Sequence, residues 1–267
     1  MRGGVAVGLL MLVASVAPAA TDEEVEQFLL NATIVDVKRL GLGKSGAMRV
    51  TLEQNGETRS AVFKTIDIHE RGYTAFREDA PPELNFTDSY KYEPAAYRLD
   101  RQLGFEMAPV SVIRKVKGRT GALIEWISDA IDEQERLERD LRPEPPGRLD
   151  EMRSLRQVFD ALIGNIDRNM GNILYTVADW ELHLIDHSRT FRHSNDLPEE
   201  FLSRPVSVLR ELLPKLEALN RKDLEKLFGR LVSDAQVRAL LIRRDRILEK
   251  IRQDRERLGD DVVFLNP

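Results

Sequence analysis

The sequence predicts an α+β chain, with a small antiparallel sheet and one helix in its first half and mainly helices in the rest. Three observations carry that expectation. Alternating apolar and polar residues run from Thr33 to Ile66 and again from Met107 to Ser128, interrupted at Asn55-Gly56 and Lys117-Gly118. Such interruptions between period-two runs mark hairpin turns. Apolar residues at helical spacing (Ala95, Ala96, Leu99, Leu103) follow Glu93-Pro94 and stop at Gly104, as a helix with Pro in its first turn and Gly past its end does. From Leu197 onward the pattern is helical only.

The totals exclude several classes. A chain of 267 residues, 42% hydrophobic and 32% charged, can bury a substantial core as one large domain or two lobes. A net charge of −5 argues against a nucleic-acid binder, which is normally basic. The absence of cysteine excludes disulfides, cysteine zinc sites and thiol nucleophiles, so any metal is held by oxygen or histidine. Met1-Arg2, the apolar run Gly3 to Val16 and Ala17-Pro18-Ala19 form a signal peptide over residues 1–19 with an A-x-A cleavage pattern, too short to span a bilayer comfortably. An uncleaved anchor is the alternative. Cleavage removes Arg2, which makes the mature charge −6 (−5 less one positive charge), and places the protein outside the cytoplasm, periplasmic or secreted. The mature chain has no membrane span.

Taken in order, Thr21 to Leu30 reads as a short helix with a Thr cap and acids in its first turn. The strands from Thr33 enclose Gly41-Leu42-Gly43-Lys44-Ser45-Gly46. This G-x-G-x-x-G lies inside a hairpin, whereas a dinucleotide fold would open a helix there. It suits a flap whose backbone closes over phosphates with no β-carbons in the way, although an ordinary glycine-rich turn looks the same. Lys64 follows on the next apolar strand, AVFKTI. Unless it faces outward it needs a charged partner, and Glu93, opening the next helix, is the expected one. Glu78 and Glu83 lie in the long irregular loop Asp67 to Tyr90, where nothing regular fixes them; such loops are often lids. Two more strands meet at Lys117-Gly118 and complete a sheet of about five. Glu125, Trp126 and Ile127 end it, where a hinge offers backbone groups to an adenine. Ile131 to Leu141 is a charged helix-like stretch, Arg142 to Gly147 a surface loop, and Leu149 to Ile163 a helix. Asp234 to Leu258 alternates charges around Leu240, Leu241, Ile247 and Ile251, a solvated helix face with i,i+4 pairs.

The most informative stretch is Gly164 to Phe191. GNIDRNMGNILY places Asp167 and Asn172 in the spacing D-x-x-x-x-N, and LHLIDHSRTF ends an apolar run on Asp186. Phosphoryl transfer needs a carboxylate to orient and deprotonate the acceptor hydroxyl, and oxygen ligands to hold magnesium against the phosphates. An Asp, an amide five residues on and a second Asp after the next strand supply that set. A polar surface turn is the bland reading of the same residues.

With Lys64, Glu93, Asp167, Asn172 and Asp186 in this order, the chain resembles the atypical protein-kinase-like fold. Three stretches carry the likeness: EPAAYRLDRQLGFEMAPV, LIGNIDRNMGNIL and LIDHSRTF. The pattern is similar to the secretory-pathway kinases of the Golgi casein-kinase type, and more distantly to type II phosphatidylinositol 4-kinases and HipA-type kinases. The resemblance implies a two-lobed fold, with a sheet lobe over residues 20–127 and a helical lobe over residues 128–267. It implies catalytic roles for Asp167, Lys64 and Glu93. Gly41, Gly43, Gly46 and Lys64 would hold ATP, with Glu125 and Ile127 at the adenine, and Asn172 and Asp186 would bind Mg2+ or Mn2+. Three departures stand out. Gly164-Asn165-Ile166 precedes the catalytic Asp where other kinases have His-Arg; Asp186-His187-Ser188 stands where relatives have D-F-G or D-N-G; and the relatives' disulfides are missing. The second departure puts switching by a phenylalanine in doubt.

The implied function is an exported ATP-dependent phosphotransferase acting on a hydroxyl of a protein or glycan, with a lipid acceptor also open. A catalytically silent binding module, or AMP transfer by the same site, are the competing readings. His183, His187 and His193 match no zinc spacing, and His183 reads as a packed or surface strand histidine.

Overall fold

The computed structural model describes residues 20–41, 46–74 and 83–265. Residues 1–19, expected from sequence to be a signal peptide, lie outside them, as do Gly43 and Glu78. Helix α1 (Asp22–Asn31) starts on a capping box in which Thr21 and Glu24 satisfy each other's backbone N–H. Strands β1 (Thr33–Arg39), β2 (Met48–Gln54) and β3 (Glu57–Lys64) form an antiparallel meander. Asn55 (φ 55°) and Gly56 (φ 81°) make the tight turn between the last two, as that dipeptide requires.

The segment expected to be an irregular loop is more ordered than its sequence suggests. Among the described residues it holds β4 (Asp67–His69), β5 (Tyr73–Thr74), β6 (Glu83–Leu84) and β7 (Thr87–Ser89), paired β4 with β7 and β5 with β6. Strands of two or three residues are too short for alternation to register. Glu83, taken from sequence as unfixed, thereby sits on a strand.

Helix α2 (Tyr92–Leu103) ends on Gly104 at φ 64°. It packs into both cores: Tyr92, Ala95, Ala96, Leu99 and Leu103 join the helical one, and Tyr97 joins the one under the sheet. Strands β8 (Ser111–Val116) and β9 (Arg119–Glu125) complete a five-stranded antiparallel sheet in the order β1-β2-β3-β9-β8, as expected.

The charged stretch after it begins as a strand, β10 (Ala130–Asp132), and is helical only over α3 (Glu133–Glu138). Buried Ile131 pairs with Tyr175, and Asp132 caps the helix. Helix α4 (Arg148–Ile163) runs to Gly164, and β11 (Ile173–Thr176) and β12 (Leu182–Leu184) extend β10 into a three-stranded sheet. The remainder comprises α5 (Glu199–Leu202), β13 (Val208–Leu209), α6 (Leu212–Ala218), α7 (Arg221–Phe228), α8 (Asp234–Leu258), α9 (Asp260–Val263) and β14 (Phe264–Leu265). The sequence predicted helices only; β13 and β14 pair in parallel for two residues each, below the length any pattern reports. No helix among the described residues is long and apolar enough to cross a membrane.

Candidate active site

Lys64 closes β3 beside Gly121 of β9. A Cβ at Gly121 would stand 2.2 Å from the Lys64 carbonyl oxygen, so the missing side chain lets the two backbones close on each other. Phe63 points into the core under the sheet; Lys64, one residue on, turns to the opposite face. Its Nζ lies 2.7 Å from Glu93 Oε1 and 2.7 Å from Asp186 Oδ1. Lys64 is 9% exposed and Glu93 3%. Burial alone would pull the ammonium's pKa down, but the Glu93 and Asp186 carboxylates outweigh it and raise it. Burial likewise works to raise Glu93, and Lys64 with His187 reverses it, holding that carboxyl well below its ordinary range.

His187 is the residue that sequence reasoning assigned no role at this site. It is 1% exposed; its backbone N–H donates to Glu93 Oε1 (3.1 Å) and its Nδ1 lies 3.3 Å from Glu93 Oε2. Burial lowers its pKa, so the ring is neutral at pH 7. A neutral imidazole facing a carboxylate carries its proton on Nδ1, which leaves Nε2 as a buried acceptor with no partner among the described residues. The ring stands edge-on to Phe159, centroids 6.0 Å apart. Thus the residue after Asp186 clasps the same glutamate that holds Lys64.

The loop after α4 is pinned from beneath. Asn165 Nδ2 donates to Asp160 Oδ1 (3.0 Å), and the Asp167 N–H donates to Asn165 Oδ1 (2.9 Å). Buried Arg168 pairs with Asp160 (3.0 Å) and donates to the carbonyls of Asn172 and Ile185. The Ile185 N–H in turn donates to the Asn172 carbonyl at 3.1 Å. These bonds set the start of D-x-x-x-x-N, its end and Asp186 side by side. Asp186 itself has φ 61°, a left-handed conformation that Asp tolerates and most residues avoid; such geometry concentrates at functional sites. Asp167, on the loop's outer side, is about half exposed and meets Arg189 Nη1 at 3.0 Å.

A second support comes from α8. Arg243 is fully buried and has no carboxylate partner among the described residues. It donates to the carbonyls of Leu162 (3.0 Å), Arg192 (3.0 Å) and Ser194, and burial pushes its pKa down to about 10. Gly164, at φ +68°, lies against it: an added Cβ would stand 3.0 Å from Arg243 Cζ. Gly164→Ala is therefore expected to destabilise the protein by about 1–2 kcal/mol from backbone strain alone, a fall of roughly 2–8 °C in melting temperature. An unshifted calorimetric melt would contradict this placement.

Lys64, Glu93, Asn172 and Asp186 border one cleft of about 300 Å³. Leu40, Val62, Ile124, Leu174 and Ile185 give it apolar walls, the lining that suits a planar base with polar groups at one end. Glu125 and Ile127 line it too. The Glu125 N–H is already donated to the Val110 carbonyl at 2.9 Å, while Ile127 makes no backbone hydrogen bond among the described residues. Gly41 and Gly46 flank residues 42–45 at the top of the β1–β2 hairpin, whose Leu40 N–H donates to the Ala47 carbonyl at 3.1 Å. Gly43 lies in the undescribed tip.

The donors suit a hard cation shared with phosphates. No group of three or more His, Cys, Asp or Glu able to hold a metal exists among the described residues. A carboxylate and an amide oxygen are the hard donors that magnesium takes together with substrate phosphates. Asp186 keeps Oδ2 outside the Lys64 contact, and no hydrogen bond engages the Asn172 carboxamide among the described residues.

No protein-family model and no curated protein sequence matches the chain. Solved structures do. Hydra Fam20, solved with sugar, matches at a TM-score of 0.68 with 16% identity over 91% of each chain. The Golgi casein kinase with Mn/ADP bound matches at 0.64, with 15% identity over 92% of this chain and 80% of that one. The chain has an atypical kinase-like fold. The Helicobacter pylori proinflammatory kinase CtkA also matches, at 0.50 with 12% identity, over 86% of this chain and 98% of that one. At these identities the likeness is one of fold. In the kinase-like fold, as in this chain, a small antiparallel sheet stands before a mainly helical part.

Proposed function

We propose that this chain is a phosphotransferase that moves the γ-phosphoryl of ATP to a hydroxyl with Mg2+ or Mn2+ bound. The observation that carries the reading is the Lys64 ammonium held 2.7 Å from both Glu93 and Asp186, beside a cleft walled for a base. In this reading Lys64 takes the α- and β-phosphates, the glycine hairpin covers them, and Glu125 and Ile127 meet the adenine through their backbones. Asn172 and Asp186 hold the cation, whose chemistry is to neutralise charge on the phosphates as it passes to the leaving group. Asp167, exposed and paired with Arg189, orients the acceptor hydroxyl and takes its proton. The neighbours favour an acceptor of secreted type: one was solved with a sugar, the other is a casein kinase of the Golgi. That likeness and the leader-like pattern of residues 1–19 support the reading that the acceptor is a protein or glycan hydroxyl met after export.

The test is incubation with ATP and Mg2+ or Mn2+, followed by nucleotide analysis and intact-mass spectrometry of the protein. Turnover with phosphoryl-sized adducts supports the reading. Adenylyl-sized adducts would reassign the site to AMP transfer, and inertness with both metals would leave a silent module. Asp167→Ala is expected to keep affinity for the metal–nucleotide within about 3-fold while lowering transfer by at least ~10²-fold, the usual worth of a positioned general base. Equal loss of binding and transfer would make Asp167 a ligand or a structural residue.

A further inference from the structure

Strand β6 reaches Asp167 through one guanidinium. Arg189 Nη1 lies 3.0 Å from Asp167 Oδ2, and its Nη2 lies 3.0 Å from Glu83 Oε2 on β6. Arg192 pairs with the other Glu83 oxygen, and the Phe86 ring lies under the Arg189 fork, 5.1 Å from Cζ. Strand β7 is fastened to the same turn, the Ser89 N–H donating to the Ser188 carbonyl at 2.8 Å. The Arg189 Nε–H is shielded from solvent and has no partner among the described residues. Glu83 and Phe86 thus hold this fork against the Asp167 carboxylate.

Among the described residues, Lys64 and Arg168 are committed elsewhere. Lys64 is divided between Glu93 and Asp186. Arg168, the cation of the D-x-x-x-x-N loop itself, is buried on Asp160 and on two backbone carbonyls. Among the described residues Arg189 is the cation that ends on Asp167.

Resting on the phosphotransferase reading, we propose that Arg189 is a further catalytic residue, supplying positive charge to the phosphoryl group at its acceptor end. The acceptor oxygen attacks the γ-phosphorus, and the bond from that phosphorus to the β–γ bridging oxygen breaks. The electron pair leaves with ADP, and the acceptor proton passes to the Asp167 carboxylate. Protonation removes the anion that Arg189 was paired with. At the same moment charge spreads over the equatorial oxygens of the transferring group. One arm of the fork moves from Asp167 to those oxygens, while Glu83 keeps the other arm and Phe86 keeps the plane. A planar fork with five donors is suited to this exchange in a way that an ammonium is not. Glu83 acts through Arg189 and is a positioning residue.

The experiment measures Mn·ATP hydrolysis and self-labelling on the full chain, and affinity with Mn and a non-hydrolysable ATP analogue. Arg189→Met is expected to lower turnover about 10²–10³-fold, the range for removing one transition-state donor, with analogue affinity unchanged within about 3-fold. Arg189→Lys retains charge without the fork and is expected to fall between the two. Guanidinium chloride at millimolar concentration, against matched NaCl, is expected to raise Arg189→Ala turnover by at least ~10-fold and to leave Glu83→Gln unaided; a purely structural role would show no such rescue. Wild-type turnover in Arg189→Met, an affinity loss equal to the turnover loss, or absence of rescue would each overturn the proposal while leaving the phosphotransferase reading standing. A wild-type chain inert toward Mn·ATP would overturn both.

Discussion

Asp186→Ala abolishes nucleotide turnover and leaves the protein folded: that is the largest effect on activity expected from this site. Asp186 accepts from Lys64 through Oδ1 at 2.7 Å, and it lines the cleft together with Asn172. Its removal takes away the proposed cation ligand and one of the two anions beside the Lys64 ammonium. Losing at least ~10³-fold in turnover corresponds to about 4 kcal/mol of transition-state stabilisation, which is ordinary for a group that fixes charge in a phosphoryl-transfer site. The fold should tolerate it, because Asp186 is about two-fifths exposed and Lys64 keeps Glu93. Two measurements check this: turnover of Mn·ATP, and a thermal melt within a few degrees of wild type. Residual turnover within ~10-fold of wild type would move the cation elsewhere and remove the main support for the proposed chemistry.

Lys64→Met is expected to have the largest effect on stability. The substitution leaves Glu93 buried with no ammonium and faces it with Asp186 across the vacated space. Removing one member of a buried ion pair typically costs about 3–5 kcal/mol, because the other charge stays buried and unpaired. For a chain of this size that is a fall of roughly 6–20 °C in melting temperature. His187 still contacts Glu93, which places the effect toward the lower end of that range. Adding Glu93→Gln to Lys64→Met should recover part of the loss, since the stranded charge is then gone; the pair is close enough for strongly non-additive energies. A shift of less than ~3 °C in the single variant would mean the ammonium is solvated rather than buried.

Much of this arrangement was legible in the residues. The turns at Asn55-Gly56 and Lys117-Gly118 place the central strands, because only a few dipeptides accept the backbone of a tight hairpin. The helix from Glu93 to Gly104 follows from its apolar stripe and its stop, and α8 from its periodicity. The cleft residues Lys64, Glu93, Asn172 and Asp186 come together as a set spaced along the chain by chemistry, although their contacts are long-range. What escaped was of two kinds. Pairings of two or three residues, β5 with β6 or β13 with β14, carry no period. Buried cations also escaped, because the charge pattern of α8 reads as a solvated face. Yet Gln236, Leu240, Arg243, Ile247, Ile251 and Asp254 are all buried and fall at helical spacing on one stripe. An arginine standing inside an apolar stripe was the available signal for Arg243. His187 had a signal as well, since it follows Asp186 directly and its neighbours Leu184 and Phe191 are apolar, but its partner Glu93 lies 94 positions away.

Helix α2 has a consequence of its own. Its aliphatic face is embedded among the C-terminal helices, Tyr97 lies beneath the sheet, and Arg98 donates to the Leu227 carbonyl at 3.1 Å. Swinging it outward to separate Glu93 from Lys64 would strip apolar side chains from two interiors together, at roughly 1.5–3 kcal/mol for each large one exposed. A brake built on that motion is therefore expensive in this architecture. On the proposed phosphotransferase reading, the chain would stand constitutively armed, its output following the supply of nucleotide, cation and acceptor rather than a toggling helix.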